Sequence, residues 1–206
     1  NRLLRRVRDV AEVRHDGGIT GDIVTFSHAD DTPLGRAKGK VAPDGKTLIP
    51  SSLEEAFVLD GPGEYEVRHV LITGVRTWRD DERGARRGRN LAFVVELDGL
   101  HAVHLGDIGH TLTEEKVSEI GSVDIACVPL GGALAPAKAA ELISQLEPKI
   151  VVPIAAVDDE ATFQEALDRY FHEMGATRTP AQQKLAITIS GLPDEVTTVL
   201  LEPRGG

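Results

Sequence analysis

The segment HLGDIGH, residues 104–110, holds the side chains of this sequence that are best suited to chemistry. A strand-like run leads into Asp107, with Gly106 and Gly109 on either side and His110 after them. Glycine frees the backbone, so the Asp107 carboxylate can project from a strand end into a cleft. Carboxylates beside imidazoles are common metal ligands. The same spacing also fits a polar turn at a strand end with solvent-exposed histidines.

A second polar strand end occurs in VTFSHADDTP, residues 24–33. A run of β-branched and aromatic residues stops at His28, Asp30 and Asp31, and Pro33 prevents further regular strand pairing. An imidazole with two carboxylates can hold a divalent cation, but it also occurs in ordinary polar turns. Further metal ligands elsewhere in the chain would distinguish a cation site from a polar turn.

A third feature is the polar loop DDERGARRGRN, which contains Arg83, Arg86, Arg87 and Arg89. Several guanidinium groups in one glycine-containing loop can bind a phosphate or a carboxylate, so the loop predicts a small anionic ligand. The alternative is a solvated loop that balances the charge of an acidic protein.

The elements that must position these residues change in kind along the chain. A basic helix or loop is predicted over residues 1–20. Strand patterns dominate the rest of the first half, over residues 22–27, 56–59 and 65–75 and in a hairpin around Asp98-Gly99. Amphipathic helices alternate with apolar strands in the second half, beginning after a capping residue, Thr113. The runs 183–190 and 197–203 predict a closing pair of strands. This order predicts one layered α/β domain.

Composition narrows the class of protein. The chain has 206 residues, of which 41% are hydrophobic, and a formal net charge of -10, which argues against nucleic-acid binding. Cys127, the only cysteine, lies in an apolar run and predicts a buried strand residue rather than a nucleophile. The sequence has no secretory signal pattern and no apolar stretch of membrane-spanning length, so we expect a cytoplasmic protein without membrane contact.

Several of these stretches together resemble the metallo-β-lactamase-fold hydrolases. The order DIVTFSH, VLDGPGEYEVRHVLITGVRT, RRGRNLAFVVELDGLHAVHLGDIGH, VDIACVPLGG and PKIVVPI carries the resemblance over roughly residues 21–175. It is strongest to the branch similar to ascorbate-6-phosphate lactonases, the Zn-dependent hydrolases. The resemblance implies an αββα sandwich of two mixed sheets flanked by helices. The family's N-terminal strands have no counterpart in residues 1–20: either the chain lacks them or this end aligns differently.

The resemblance also implies a dinuclear metal site, most of whose ligands are replaced here. In the family motif Ser-His-x-His-x-Asp-His, His28 matches the first His, and Asp30, Thr32 and Pro33 stand at the three later ligands. Asp107 matches the metal-bridging Asp. Where further histidines follow two strands of the family, this chain has Arg79 after one and Ala155 and Ala156 after the other. If Arg79 points where the family histidine points, it opposes metal binding and pairs with Asp107 or Asp30.

Two functional hypotheses follow for a single domain over residues 1–206. The first is a hydrolase-like protein whose dinuclear site is largely lost, non-catalytic or altered in activity, with Arg79, Arg86, Arg87 and Arg89 binding an anion. The second is a metal-dependent hydrolase of an ester, lactone or phosphoester. It would hold one Zn or Mn with His28, Asp30, Asp107 and His110, of which His28 and Asp107 would be catalytic. By resemblance we also expect a homo-oligomer.

Overall fold

A computed structural model of the protein describes residues 22–28 and 57–202. The predicted basic helix or loop over residues 1–20 and the predicted ligand Asp30 lie outside these ranges. The described strands are β1 (Ile23–Thr25), β2 (Phe57–Leu59), β3 (Gly63–Val67), β4 (Val70–Trp78), β5 (Arg89–Leu97), β6 (Leu100–His104), β7 (Ile125–Leu130), β8 (Ile150–Ala155) and β9 (Thr197–Thr198). The described α-helices are α1 (Glu114–Ile120), α2 (Pro136–Leu146) and α3 (Glu160–Glu173).

A seven-stranded mixed sheet, in the order β3-β4-β5-β6-β7-β8-β9, organises this part of the chain. Neighbours from β3 to β6 are antiparallel and neighbours from β6 to β9 are parallel. The predicted hairpin at Asp98-Gly99 joins β5 to β6, and both of its residues have positive φ, as a tight primed turn requires. Parallel pairing needs longer crossovers, and α1, α2 and α3 lie in the connections between β6 and β9.

The helices begin where their sequences predict. The Thr113 hydroxyl accepts a hydrogen bond from the Lys116 N–H at 3.3 Å and caps α1, and Asp159 caps α3 through the Thr162 N–H at 2.8 Å. Pro136 occupies the first turn of α2, where a missing N–H costs no hydrogen bond. These starts fix the helices at the carboxyl ends of the parallel strands.

The two faces of the large sheet are covered differently. One face packs its Val, Ala and Leu side chains against all three helices and forms the main core. On the other face, Leu59 of β2 covers β4 and β5, and the chain from Leu185 to Leu201 covers β6 to β8. Cys127 lies in this second layer, and its burial raises the pKa of the thiol to about 12, so the predicted role as a buried apolar residue is confirmed.

Two predicted strands are wrong. The run 65–75 is two strands, β3 and β4, because Arg68 (φ 51°) and His69 (φ 62°) form a turn between them. His69, predicted as a strand residue, therefore sits on that turn with its side chain 98% exposed. The run 183–190 forms no strand, although Leu185 and Ile187 pack on the sheet as strand residues would.

The α/β architecture is confirmed. Beside the large mixed sheet, the described residues contain a second sheet of two parallel strands, β1 and β2, rather than a second mixed sheet. Within residues 22–28 and 57–202, no helix combines the length and apolar character that crossing a bilayer would need.

Candidate functional site

Asp107 stands just beyond the carboxyl end of β6, on a loop with two tightly packed glycines. Gly106 has φ 66°, and a Cβ there would lie 2.4 Å from the Asn90 Oδ1 atom. A Cβ at Gly109 would lie 2.3 Å from the Arg79 carbonyl oxygen. Only glycine permits these approaches, so the loop sits directly against β5 and the end of β4.

Asn90, at the start of β5, fixes the position of this loop. Its Nδ2 donates to the Thr77 hydroxyl at 2.7 Å and to the Leu105 carbonyl at 2.8 Å, and its Oδ1 accepts from the Asp107 N–H at 2.9 Å. Asn90 is fully buried. The sequence analysis missed it, although a lone amide in an otherwise apolar strand is a signal that buried hydrogen bonds are needed.

The Asp107 carboxylate is paired with Arg79, the first residue after β4. The Arg79 Nε donates to the Asp107 Oδ2 at 2.8 Å, and the Arg79 Nη1 donates to the Arg87 carbonyl at 3.1 Å. The side chains of Arg79 and Asp107 are only 11% and 15% exposed. The predicted pairing of Arg79 with Asp107 is therefore present, and a permanent positive charge lies against the carboxylate.

His28 follows β1 and belongs to the same neighbourhood. Its Nδ1 and the Ser27 hydroxyl are hydrogen-bonded at 2.8 Å. Burial lowers the pKa of His28 below its usual value, the nearby Arg79 guanidinium lowers it further, and the Asp107 carboxylate opposes both. A Cβ added at Gly106 would lie 2.7 Å from the Ser27 Cβ, so the end of β1 lies beside the loop that carries Asp107.

His110 is close in sequence to Asp107, but both nitrogens of its imidazole are hydrogen-bonded to backbone groups. Its Nε2 accepts from the Trp78 N–H at 3.0 Å, and its Nδ1 lies 2.6 Å from the Thr111 carbonyl, to which it donates. This imidazole joins the end of β4 to the loop after β6. To bind a cation, either nitrogen would first have to give up its backbone partner.

The family's metal centre does not fit the described residues. Among them, no group of three or more His, Cys, Asp or Glu side chains is arranged to hold a metal ion. Ala156 lies at the site without a donor: a Cβ added at Gly132 would lie 2.7 Å from the Ala156 Cβ and 3.1 Å from the Asp107 Oδ1. Asp30, the remaining predicted ligand, lies outside the described residues.

The arginine loop, residues 79–89, which ends at the first residue of β5, is built around a carboxylate that the sequence analysis did not single out. Asp80 is 7% exposed and accepts hydrogen bonds from the N–H groups of Glu82, Gly84, Arg86 and Arg87. Burial alone would raise the pKa of Asp80, but these four donors outweigh it and lower the pKa below its usual value.

The arginine side chains of this segment do not share one environment. Arg79 is directed inward to Asp107, whereas Arg83, Arg86, Arg87 and Arg89 are exposed. Arg86 is paired with Glu82 of its own loop. Asp81 ties the loop to α2 through the Lys138 ammonium group at 3.0 Å. The loop is therefore firmly held, and the guanidinium groups of the four exposed arginines lie on its outside.

Comparison with known proteins places the chain among metallo-hydrolase relatives. The family model described as "Beta-lactamase superfamily domain" matches residues 9–155. A UPF0173 metal-dependent hydrolase of Thermococcus onnurineus is 27% identical over 150 residues, which cover 66% of this chain and 67% of that protein. A second one, from Nitratidesulfovibrio vulgaris, is 28% identical over 155 residues, which cover 71% of this chain and 62% of that protein. The chain thus spans about two thirds of the length of these relatives.

Solved structures give the same assignment. A metallo-β-lactamase superfamily protein of Thermotoga maritima aligns with a TM-score of 0.63 and 26% identity, covering 90% of this chain and 84% of that one. Igni18, a metallo hydrolase from Ignicoccus hospitalis, aligns with a TM-score of 0.52 and 16% identity, covering 88% and 77%. At 16% identity, the match to Igni18 supports the fold alone.

Proposed function

Because this chain belongs to the metallo-β-lactamase superfamily, we propose that it is a hydrolase-like member in which the Arg79–Asp107 ion pair stands in place of the dinuclear metal centre. Its role would be to bind a small anion rather than to perform metal-dependent hydrolysis. The resemblance to the ascorbate-6-phosphate lactonase branch makes a phosphorylated sugar derivative the natural first ligand class, and a homo-oligomer in the cytoplasm the natural setting.

The observation that carries the proposal is the 2.8 Å contact between the Arg79 Nε and the Asp107 Oδ2. A guanidinium group keeps its charge at every accessible pH. At an effective dielectric constant near 20, a divalent cation about 4 Å from this charge would be repelled by roughly 8 kcal/mol. The Arg79 guanidinium also offsets the negative charge of the Asp107 carboxylate, which would otherwise attract the cation.

The test is the metal content of the purified protein, measured by inductively coupled plasma mass spectrometry. Measurements before and after incubation with Zn or Mn and desalting separate a lost site from one emptied during purification. We expect far less than one ion per chain in both cases. About one retained ion per chain would contradict the proposal.

A second candidate is a hydrolase with one Zn or Mn ion, acting on an ester, lactone or phosphoester. Its support is that the end of β1, which carries His28, lies beside the loop that carries Asp107, with Asp30 and His110 as the further predicted ligands. When bound, such an ion would supply a Lewis acid. His28→Ala discriminates between the two candidates, because a hydrolase should lose both metal and activity, whereas an anion-binding protein should lose little beyond stability.

The anion-binding role draws on the exposed Arg86, Arg87 and Arg89, whereas Arg79, the fourth predicted ligand-binding residue, is directed inward to Asp107. Its support is the rigidity of the arginine loop, because donors held in place lose little conformational entropy when a ligand binds. Isothermal titration calorimetry with inorganic phosphate is the direct assay. Substitution of Arg87, whose side chain is exposed, by Gln should weaken binding, whereas Arg169→Gln on the outer face of α3 serves as the charge-matched control.

A further inference from the structure

We propose that this chain binds a second copy of itself head to tail: the exposed arginines of the arginine loop of one copy dock on an acidic row of the large sheet of the next. The acidic row consists of Glu66, Leu71 and Glu96, which lie side by side on β3, β4 and β5. The inference rests on the homo-oligomer of the proposed function and gives that oligomer an interface.

The acidic row lies on the face of the large sheet that carries the helices, but the helices leave it open. Glu66 pairs with Leu71 and Leu71 with Glu96, and directly opposed residues of neighbouring strands share a face. Leu71 also shares this face with Val75, because alternate residues of a strand point to the same side. Val75 is fully buried in the main core, whereas Leu71 is 49% exposed. A large apolar side chain is therefore open to solvent between two carboxylates.

The two carboxylates of the row have no permanently charged partner in the part of the chain that the structure describes. The Glu66 Oε1 lies 3.9 Å from the His69 Nδ1, and the Glu96 Oε2 lies 3.7 Å from the His101 Nε2. A histidine carries a charge only when it is protonated. The side chains of Glu66 and Glu96 are 65% and 45% exposed, so a cationic group of another molecule can reach both.

The spacing of the row fits an arginine side chain. Glu66 and Glu96 are two strand spacings apart, about 10 Å, with Leu71 midway between them. The methylene chain of an arginine can pack on an exposed leucine while its guanidinium group binds a carboxylate beside it. A partner with several arginines close together therefore matches both the apolar and the charged part of the surface.

The arginine loop has this character. The side chains of Arg83, Arg87 and Arg89 are exposed, and none of the three forms an ion pair with another described residue. The four backbone hydrogen bonds to Asp80 hold the loop in place, so its arginines lose little conformational entropy on docking. In a chain with a formal net charge of -10, this group of unpaired cations is the natural complement of the acidic row.

One copy cannot make this contact with itself. The acidic row and the arginine loop lie at opposite ends of the β4–β5 pair, where Leu71 faces Glu96 and Trp78 faces Arg89. At about 3.4 Å per residue, these ends are more than about 20 Å apart. The contact therefore joins different surfaces of two copies, which either closes a ring or continues as a chain of copies. Because one arginine cannot bind a phosphate and the acidic row at once, anion binding and self-association exclude each other.

Sedimentation velocity of the full chain over a range of concentrations tests the proposal. Association should weaken at least about tenfold between about 50 mM and about 500 mM NaCl, because salt screens exposed charges. Glu96→Arg and Arg87→Glu should each weaken association at least about tenfold, since each brings like charges together. Glu173→Arg and Arg169→Glu make the same charge changes on α3 and should leave association unchanged. Circular dichroism verifies that every variant is folded.

A mixture of the two interface variants tests the head-to-tail arrangement. Glu96→Arg retains a natural arginine loop, and Arg87→Glu retains a natural acidic row. Mixed copies should therefore associate about as strongly as the natural protein, although neither variant does so alone. A mixture that associates no better than its components would overturn the proposed contact.

The outcomes separate this inference from the proposed function. A natural protein that stays monomeric at about 50 mM NaCl overturns the inference together with the proposed homo-oligomer. An oligomer that Glu96→Arg and Arg87→Glu weaken no more than their controls overturns the inference alone. Phosphate titration of Glu96→Arg, whose arginine loop is free and unchanged, tests anion binding apart from assembly. Absence of phosphate binding there would contradict the proposed function and leave the interface standing.

Discussion

Asp107 is held by an unusual combination of neighbours for a residue of a metallo-β-lactamase-type site. A guanidinium group neutralises it on one side, and an alanine without a donor lies on the other. Burial and the Arg79 charge lower the pKa of the nearby His28, and the Asp107 carboxylate opposes this shift. Among the described residues, the charges of Arg79 and Asp107 therefore offset each other at this site.

Replacing Asp107 by Asn tests this balance. The substitution removes the carboxylate charge that lies against the largely buried Arg79 guanidinium, and we expect the free energy of unfolding to fall by about 3 kcal/mol. Urea denaturation measures the change. Glu119→Gln removes the partner of Lys116 in an exposed ion pair of α1 and should cost less than about 1 kcal/mol. Equal effects of the two substitutions would contradict a special role for the buried pair.

The elements that carry these residues depend on close backbone approaches. Gly109 allows the loop after β6 to touch the chain leaving β4, and its N–H donates to the Trp78 carbonyl at 3.0 Å. Gly109→Ala would place a methyl group 2.3 Å from the Arg79 carbonyl oxygen. Because backbone must move to make room, we expect a loss of about 2 kcal/mol or more in urea denaturation.

Gly191 provides the matched control for that substitution. A Cβ there would meet the Thr188 Oγ1 at 3.4 Å and the Ile187 Cδ1 at 3.5 Å, which are ordinary contact distances. Gly191→Ala should therefore change the stability by less than about 1 kcal/mol. If both alanine variants are equally stable, the packing of the two site loops is looser than the structure indicates.

The arginine loop depends on Asp80 in a similar way. Asp80→Asn replaces one of two acceptor oxygens by a donor, and this donor faces backbone N–H groups. The loop should loosen, and cleavage by trypsin after its arginines should become faster in limited proteolysis. Asp81→Asn, which removes only the exposed contact to Lys138, is the control. Cleavage no faster than in that control would mean that Asp80 does not order the loop.

The helices and strands were predictable wherever the local sequence preference agreed with the tertiary contacts. The caps of α1 and α3 and the Asp98-Gly99 turn are examples. The Arg68-His69 turn was not predictable, because neither residue favours positive φ and the apolar pattern continues through both. The run 183–190 alternates because its apolar side chains pack on the sheet, although its backbone joins no ladder. The roles of Asn90 and Asp80 depend on backbone groups distant in sequence, which periodicity does not reveal.

At the scale of the whole molecule, the predicted metallo-β-lactamase fold is confirmed by the family match and by the solved structures. The resemblance to the family placed Arg79, Ala155 and Ala156 at positions where the family has metal-binding histidines, and that they replace metal ligands stays a prediction. The partner of Arg79 was left between Asp107 and Asp30, since a strand order does not give distances. The single-domain prediction over residues 1–206 stays a prediction.

The stability of the molecule should depend on pH through His104. Burial lowers the pKa of His104 to about 4, and its Nδ1 accepts from the Gly106 N–H at 3.0 Å. Because the folded state binds the proton less well than the unfolded state, this stability is complete above about pH 6.5 and is lost as the pH falls towards 4. The loss is at most about 3 kcal/mol.

His104→Asn keeps an acceptor for Gly106 and removes the titration. The free energy of unfolding, measured between pH 7 and pH 4, should then fall less steeply than in the natural protein. Some slope should remain, since the lowered pKa of His28 acts in the same direction. An unchanged slope would mean that His104 is as easily protonated in the folded chain as in the unfolded one.

The strand order of the large sheet also has a kinetic consequence. Each strand of this sheet pairs with the next one along the chain. The connections between β3 and β6 include two-residue turns, whereas each connection between β6 and β9 contains a whole helix. Short closures cost less entropy and form sooner. Pulsed hydrogen exchange during refolding should therefore protect β4 and β5 before β7 and β8. The strand ends that carry Arg79 and Asp107 would then form early. Gly132 and Ala156, which follow β7 and β8, would pack against Asp107 last.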